Sequence, residues 1–100
     1  MEPRITFDKD RLAAFCRQHQ IRRLAFFGSV LRADFRPDSD VDVLVEFDPG
    51  TSVGLIRLAG MELELSRLLG RTADVRTPQD LSRYFRQDVL KSAAVQYAGR

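Results

Sequence analysis

Cysteine and histidine are almost absent from this chain: Cys16 and His19 are the single examples of each. A lone cysteine excludes an intrachain disulfide and a cysteine-based zinc cluster. A lone histidine leaves little support for a histidine metal site or a Ser/His/Asp triad. With no histidine or cysteine partner near it in sequence, Cys16 is expected to be a buried packing residue rather than a reactive thiol, and His19 a surface or helix-end residue. Long apolar runs are missing too. None approaches the ~20 residues of a membrane span and no signal peptide pattern occurs, so the expected location is cytoplasmic, with no membrane partner. Charge of one sign is also lacking, since 16 basic residues, almost all arginine, stand against 14 acidic ones for a net charge of +2. That balance does not by itself predict direct nucleic-acid binding. There is no internal repeat, linker or low-complexity tract.

What is present is an ordinary globular composition, 44% hydrophobic and 30% charged over 100 residues, enough for one domain over residues 1–100 with a modest core. The chemistry concentrates in Gly28 to Glu46. Leu24 to Phe27 is a short apolar run that reads as the end of a strand, and Gly28-Ser29 ends it. Val41 to Phe47 alternates with period two, which predicts a second strand with Val41, Val43, Val45 and Phe47 on one face. Asp40 and Asp42 then share the other face, where two carboxylates repel unless a cation or proton lies between them. Mg²⁺ is held by one or two carboxylates plus substrate phosphates and suits such a pair. The glycine and the helical turn after it offer backbone N–H groups to a phosphate. An EF-hand reading of Asp38, Asp40 and Asp42 fails, because the sixth position is Val43 and not glycine, and the twelfth is Pro49 and not glutamate. Asp34, Asp38 and Asp48 are expected to be solvated loop charges.

The rest of the chain fills in an α/β or α+β two-layer domain. Asp8 or Asp10 is placed to cap a helix with Leu12, Phe15 and Cys16 inward, ending near His19 and Gln20. Ile21 to Phe27 is the first strand, Ser29 to Arg32 a helical turn, and Ala33 to Ser39 a loop. After the Asp48-Pro49-Gly50 turn, Thr51 or Ser52 is expected to cap a long helix reaching Leu69. That helix has two apolar stripes: Leu55, Leu58, Met61, Leu65 and Leu68, and Val53, Ile56, Ala59 and Leu63. One sheet face needs only one stripe of ~100°. Gly70 stops the helix, Arg71 to Arg76 reads as a third strand carrying Asp74, and Thr77-Pro78 opens a helix with Leu81, Phe85 and Val89 inward. For Ala93 to Tyr97, helix and extended chain are equally compatible.

Gly28-Ser29, Arg32, Ser39-Asp40-x-Asp42 and Leu44-Val45-Glu46-Phe47 together resemble the signature of the DNA polymerase beta-like nucleotidyltransferases, and within them the minimal nucleotidyltransferase (MNT) domains. The likeness runs from Ile21 to Tyr97 and is specific at the Gly-Ser and Asp-x-Asp elements; Ala33 departs from it where many members have glycine. It implies a small mixed β-sheet flanked by helices. It also implies two Mg²⁺ ions held by Asp40, Asp42 and a third carboxylate, carried over to Asp74, with Gly28, Ser29 and Arg32 binding the phosphates of ATP. Stand-alone domains of this kind are commonly antitoxins paired with HEPN-domain ribonucleases, and the enzymatic ones move AMP from ATP to a tyrosine of the toxin. The resemblance therefore implies protein adenylyltransfer to a HEPN partner. Two alternatives stand beside it: a non-catalytic antitoxin that covers its partner, and transfer to a small molecule, for which larger relatives carry an added domain. The surplus stripe of the long helix points to a bound subunit, either the partner protein or a second copy in a homo-oligomer, the alternative being that both stripes serve the chain's own core against the sheet and the terminal helices.

Overall fold

A computed structural model describes residues 5–31, 36 and 39–99. Helix α1, Lys9–Gln18, starts where the Asp8 carboxylate accepts hydrogen bonds from the backbone N–H groups of Asp10 and Arg11, at 2.9 and 3.1 Å. It buries Leu12, Phe15 and Cys16 and ends at His19, whose imidazole lies 3.2 Å from a Glu64 carboxylate oxygen. Strand β1, Ile21–Phe27, leads into a 3-10 turn at Gly28–Leu31. Strand β2 covers Val41–Phe47, helix α2 Leu55–Leu69 and strand β3 Ala73–Arg76. A 3-10 turn at Pro78–Asp80, helix α3 at Arg86–Ser92 and strand β4 at Ala94–Ala98 complete the order.

The four strands form one sheet in the order β3-β2-β1-β4. The β1/β2 and β1/β4 pairs are antiparallel and β2/β3 is parallel, so the sheet is mixed and the fold is the expected α+β one. On its inner face Leu24, Phe26, Val41, Val43, Val45, Ala73 and Val75 pack with Leu12, Phe15 and Cys16 of α1 and with Met61, Leu65 and Leu69 of α2 in a single core. Strand β3 lies at the sheet edge, where unpaired N–H groups need partners. α2 supplies them: Ser66 Oγ accepts from the N–H of Ala73 at 2.9 Å and Glu62 Oε2 from that of Val75 at 2.8 Å. These contacts also set the direction of α2, which runs back along the sheet antiparallel to β2 and β3.

Several boundaries differ from expectation. α2 begins at Leu55 behind an N-cap Gly54 that provides no side-chain cap, later than Thr51 or Ser52. After the Gly50 turn residues 51–54 stay irregular, and Val53 packs on the core from there instead of from a helix. Leu55, placed in the inward stripe, is 85% exposed. β3 starts at Ala73 rather than Arg71. The helix expected from Thr77 is broken. Asp80 Oδ2 does accept from both the N–H and the hydroxyl of Thr77, each at 3.1 Å, but Leu81 is extended. The Arg86 guanidinium then donates to the carbonyls of Pro78 and Leu81 at 2.8 and 3.2 Å, satisfying groups that a continuous helix would have paired internally. Phe85 is consequently 64% exposed. Ala93 to Tyr97 resolves as mostly strand. Cys16 is fully buried and burial pushes its thiol pKa up to about 12, as a packing residue requires.

Candidate active site

Period-two alternation sends the residues between the buried valines to the outer face of the sheet. There the parallel β2/β3 register sets Asp42 beside Asp74, and the antiparallel β1/β2 register sets Phe27 beside Asp42. Gly28 follows Phe27 with φ of +76°, a region costly for residues with a Cβ, and a Cβ built on it would collide with Asp42 Oδ2. Glycine is thus required twice over: for the turn, and to leave space for the Asp42 carboxylate. The C-terminal end of β1, the start of β2 and the start of β3 meet at one end of the sheet.

Asp40 is not on the strand. It immediately precedes β2, which begins at Val41, and its side chain is exposed, so it approaches from the strand's mouth rather than from a paired position as the alternation alone had suggested. Asp42 and Asp74 are each partly buried. Arg32 and the Ser29 side chain lie outside the described residues, as does most of the loop from Ala33 to Ser39, so the phosphate-binding assignments are located here only at Gly28 and the Ser29 backbone.

Sequence reasoning missed Arg76. Two residues after Asp74 on the same strand face, its Nε and Nη2 donate to the Oδ1 and Oδ2 of Asp74, both at 3.2 Å. That hydrogen bonding, then the charge of Asp74, pushes the guanidinium's pKa further up; burial opposes slightly, and Asp80 and Asp42 add smaller charge contributions. The signal available in the sequence was the spacing Asp74-x-Arg76, which places opposite charges on one strand face.

Among the described residues, no three histidine, cysteine or acidic side chains form a ready-made metal cage. A cage is not what a hard divalent ion bound with a nucleotide needs, because substrate phosphates and waters complete its oxygen shell. Two carboxylates in register, with a third at the strand mouth and a glycine clearing space beside them, are the right donors for such an ion. The described cavities lie elsewhere. The one of about 260 Å³ is lined by Glu46, Phe47, Asp48, Thr51 and Thr77, at the opposite end of β2 and β3 from Asp42 and Asp74.

Comparison with known proteins agrees with this fold. Residues 9–96 match the model of the nucleotidyltransferase domain family. A Methanocaldococcus jannaschii chain assigned as a protein adenylyltransferase is 32% identical over 85 residues, 85% of this chain and 89% of that one. Among solved structures, one described as a minimal nucleotidyltransferase superposes with a TM-score of 0.69 at 35% identity, covering 85% of each chain. Another, from a complex of a tri-AMPylated Shewanella oneidensis HEPN toxin with its MNT antitoxin, gives a TM-score of 0.66 at 16% identity over 90% of this chain and 69% of that one, a likeness of fold. No described helix is long and apolar enough to cross a membrane.

Proposed function

Because this chain belongs to the nucleotidyltransferase family, we propose that it transfers AMP from ATP to a hydroxyl of a partner protein, and that the partner is a HEPN-domain toxin neutralised by the transfer. The observation that carries the reading is the convergence of Gly28, Asp42 and Asp74 at one sheet end: a cleared turn beside paired carboxylates. The adenylyltransferase relative and the AMPylated toxin of the structural neighbour supply the donor and the partner class.

In this reaction the acceptor oxygen forms a bond to the α-phosphorus of ATP, the bond from that phosphorus to the bridging oxygen breaks, and pyrophosphate leaves. Asp40, Asp42 and Asp74 would hold two Mg²⁺ ions, which when bound neutralise phosphate charge and make the acceptor hydroxyl easier to deprotonate. Gly28 keeps a side chain out of the space the Asp42 carboxylate uses, and its turn offers backbone N–H groups to the terminal phosphates together with Ser29 and Arg32. Asp74 lies beside Asp42 so that the hydroxyl and the phosphate are held next to each other, which turns an encounter into a positioned reaction.

The acceptor has to come from another molecule, and α2 offers a place to hold it. Ile56 is 92% and Leu63 65% exposed, so the surplus stripe is not consumed by the chain's own core. Leu55 and Ile56 open α2 at the sheet end opposite the carboxylates. With a helical rise of 1.5 Å per residue, a partner seated there must extend a segment by roughly 20 Å to reach them. This exposed face also favours the second reading, inhibition by covering alone.

Intact-mass measurement separates the two. Incubation of a HEPN toxin with this chain, ATP and Mg²⁺ is expected to add AMP to the toxin, and Asp42→Asn to prevent it. A toxin silenced equally by wild type and variant, with no added mass, would leave binding as the function.

A further inference from the structure

Arg76 has no part in the reaction proposed above, yet its guanidinium occupies a carboxylate which that reaction needs. Both oxygens of Asp74 accept from it, at 3.2 Å each. The pair is only partly open, with side-chain exposures of 49% for Arg76 and 35% for Asp74. In this arrangement Asp74 is neutralised by a charge belonging to its own strand.

The geometry points to Arg76 as the resident counter-cation of Asp74, a positioning residue that holds the third carboxylate and competes with divalent cations for it. The inference rests on the catalytic reading. A carboxylate that receives two guanidinium N–H groups has spent its best-placed lone pairs, and a doubly charged ion beside that guanidinium is repelled. Loading a cation on those same lone pairs of Asp74 therefore requires Arg76 to release at least one oxygen. It has somewhere to go. β3 is an edge strand, lined on its outer side by Ser66 and Glu62 of α2 at Ala73 and Val75 but by no further strand at Arg76. Asp80 begins the path: only its Oδ2 is used by Thr77, and its charge already acts on Arg76. Without nucleotide, then, the chain holds divalent ions weakly at Asp74, and the negative phosphates of ATP shift the competition toward the metal.

Titration of the full chain with Mn²⁺ alone, read by the electron-spin signal of the free ion, tests this without any turnover. Arg76→Gln is expected to bind Mn²⁺ about fivefold more tightly than wild type, the size that release of an exposed ion pair supports. Arg76→Lys, which keeps the charge, is expected within about twofold of wild type on the same scale. The double variant Asp74→Asn/Arg76→Gln should lose the gain. Circular dichroism checks that each variant is folded. Arg76→Gln binding no tighter than wild type, or Arg76→Lys binding as tightly as Arg76→Gln, overturns the inference. If wild-type Mn²⁺ binding nevertheless disappears in Asp42→Asn, the catalytic reading survives that failure. If neither wild type nor any variant binds Mn²⁺ with or without ATP, both fall.

Discussion

Along β2, Val41, Val43 and Val45 are enclosed, whereas Asp42 and Glu46 on the opposite face remain partly open to solvent. The two sets share one backbone and alternate residue by residue, but they face different environments. The inner set touches α1 and α2 and has no chemistry. In the outer set Asp42 meets Asp74 and Gly28, and Glu46 meets Arg22 and Arg23. Among the described residues, Leu44 and its β1 partner Ala25 interrupt the outer face, being nearly inaccessible while lying outside the main core cluster. Substitutions on the two faces should therefore separate stability from transfer.

The largest separation comes from a pair of variants on adjacent strands. Asp42→Asn keeps the shape of the side chain and leaves the inner face untouched, so the thermal midpoint should stay close to that of wild type. AMP transfer should fall by more than about 100-fold, since even residues that only orient metal ligands cost up to that much. Phe26→Ala, with no charge involved, should cost ~3–5 kcal/mol of stability by opening a cavity in the core. That is a large part of the total for a domain of this size. Loss of stability in the first variant together with loss of transfer in the folded fraction of the second is the expected pattern reversed, and would show that the faces are not independent.

Gly28 is where the two sets meet, because it ends a core strand and borders an outer carboxylate. Gly28→Val must place a β-branched side chain at φ of +76° and against Asp42 Oδ2. About 1–3 kcal/mol of backbone strain is expected, and the Asp42 carboxylate should be displaced. Denaturant melts and ATP affinity should thus both worsen. A folded Gly28→Val protein with wild-type nucleotide use would detach the turn from the site.

A smaller effect on stability, with a larger one on association, is expected at α2. Ile56→Asp and Leu63→Lys change side chains that make little contact within the chain, so stability should stay within about 0.5 kcal/mol. Binding to the partner, measured by light scattering or calorimetry, should weaken by at least tenfold if these residues anchor the interface, an energy of about 1.4 kcal/mol that anchors commonly exceed. Unchanged association would move the partner to another surface.

The strands were legible in the sequence because alternation is a local signal: Ile21–Phe27 and Val41–Phe47 have the expected bounds. The Gly28-Ser29 and Asp40-x-Asp42 spacing was equally local. What sequence could not give was decided by contacts between distant residues. Asp74 meets Asp42 only through the β2/β3 register. The helix after Thr77 breaks because the Arg86 side chain takes over the carbonyls of Pro78 and Leu81. Leu55 follows the periodicity of the inward stripe, but α2 begins there, at the far end of the sheet, with no core left to meet. In each case a correct local pattern met a tertiary circumstance that it does not encode.

A last test probes the inner face by pH. Cys16 lies fully inside the core, and burial raises its pKa from 9.0 to about 12, with the charge of Arg17 opposing weakly. In the unfolded chain the thiol ionises near the lower value, and in the folded chain it stays neutral until near the upper one. Folding is thus favoured by the neutral form. The contribution is complete below the unfolded pKa, and it is lost as the pH rises from there through the folded pKa. Wild type should therefore lose stability more steeply than Cys16→Ala between about pH 9 and 12, although the alanine variant starts lower because of the small cavity it opens. The same burial predicts that a thiol reagent labels the native chain only at the rate at which it opens. Parallel stability curves for the two proteins over that range, or rapid labelling without unfolding, would show that the α1 side of the core is open to solvent, and the contrast between the two faces of the sheet would weaken accordingly.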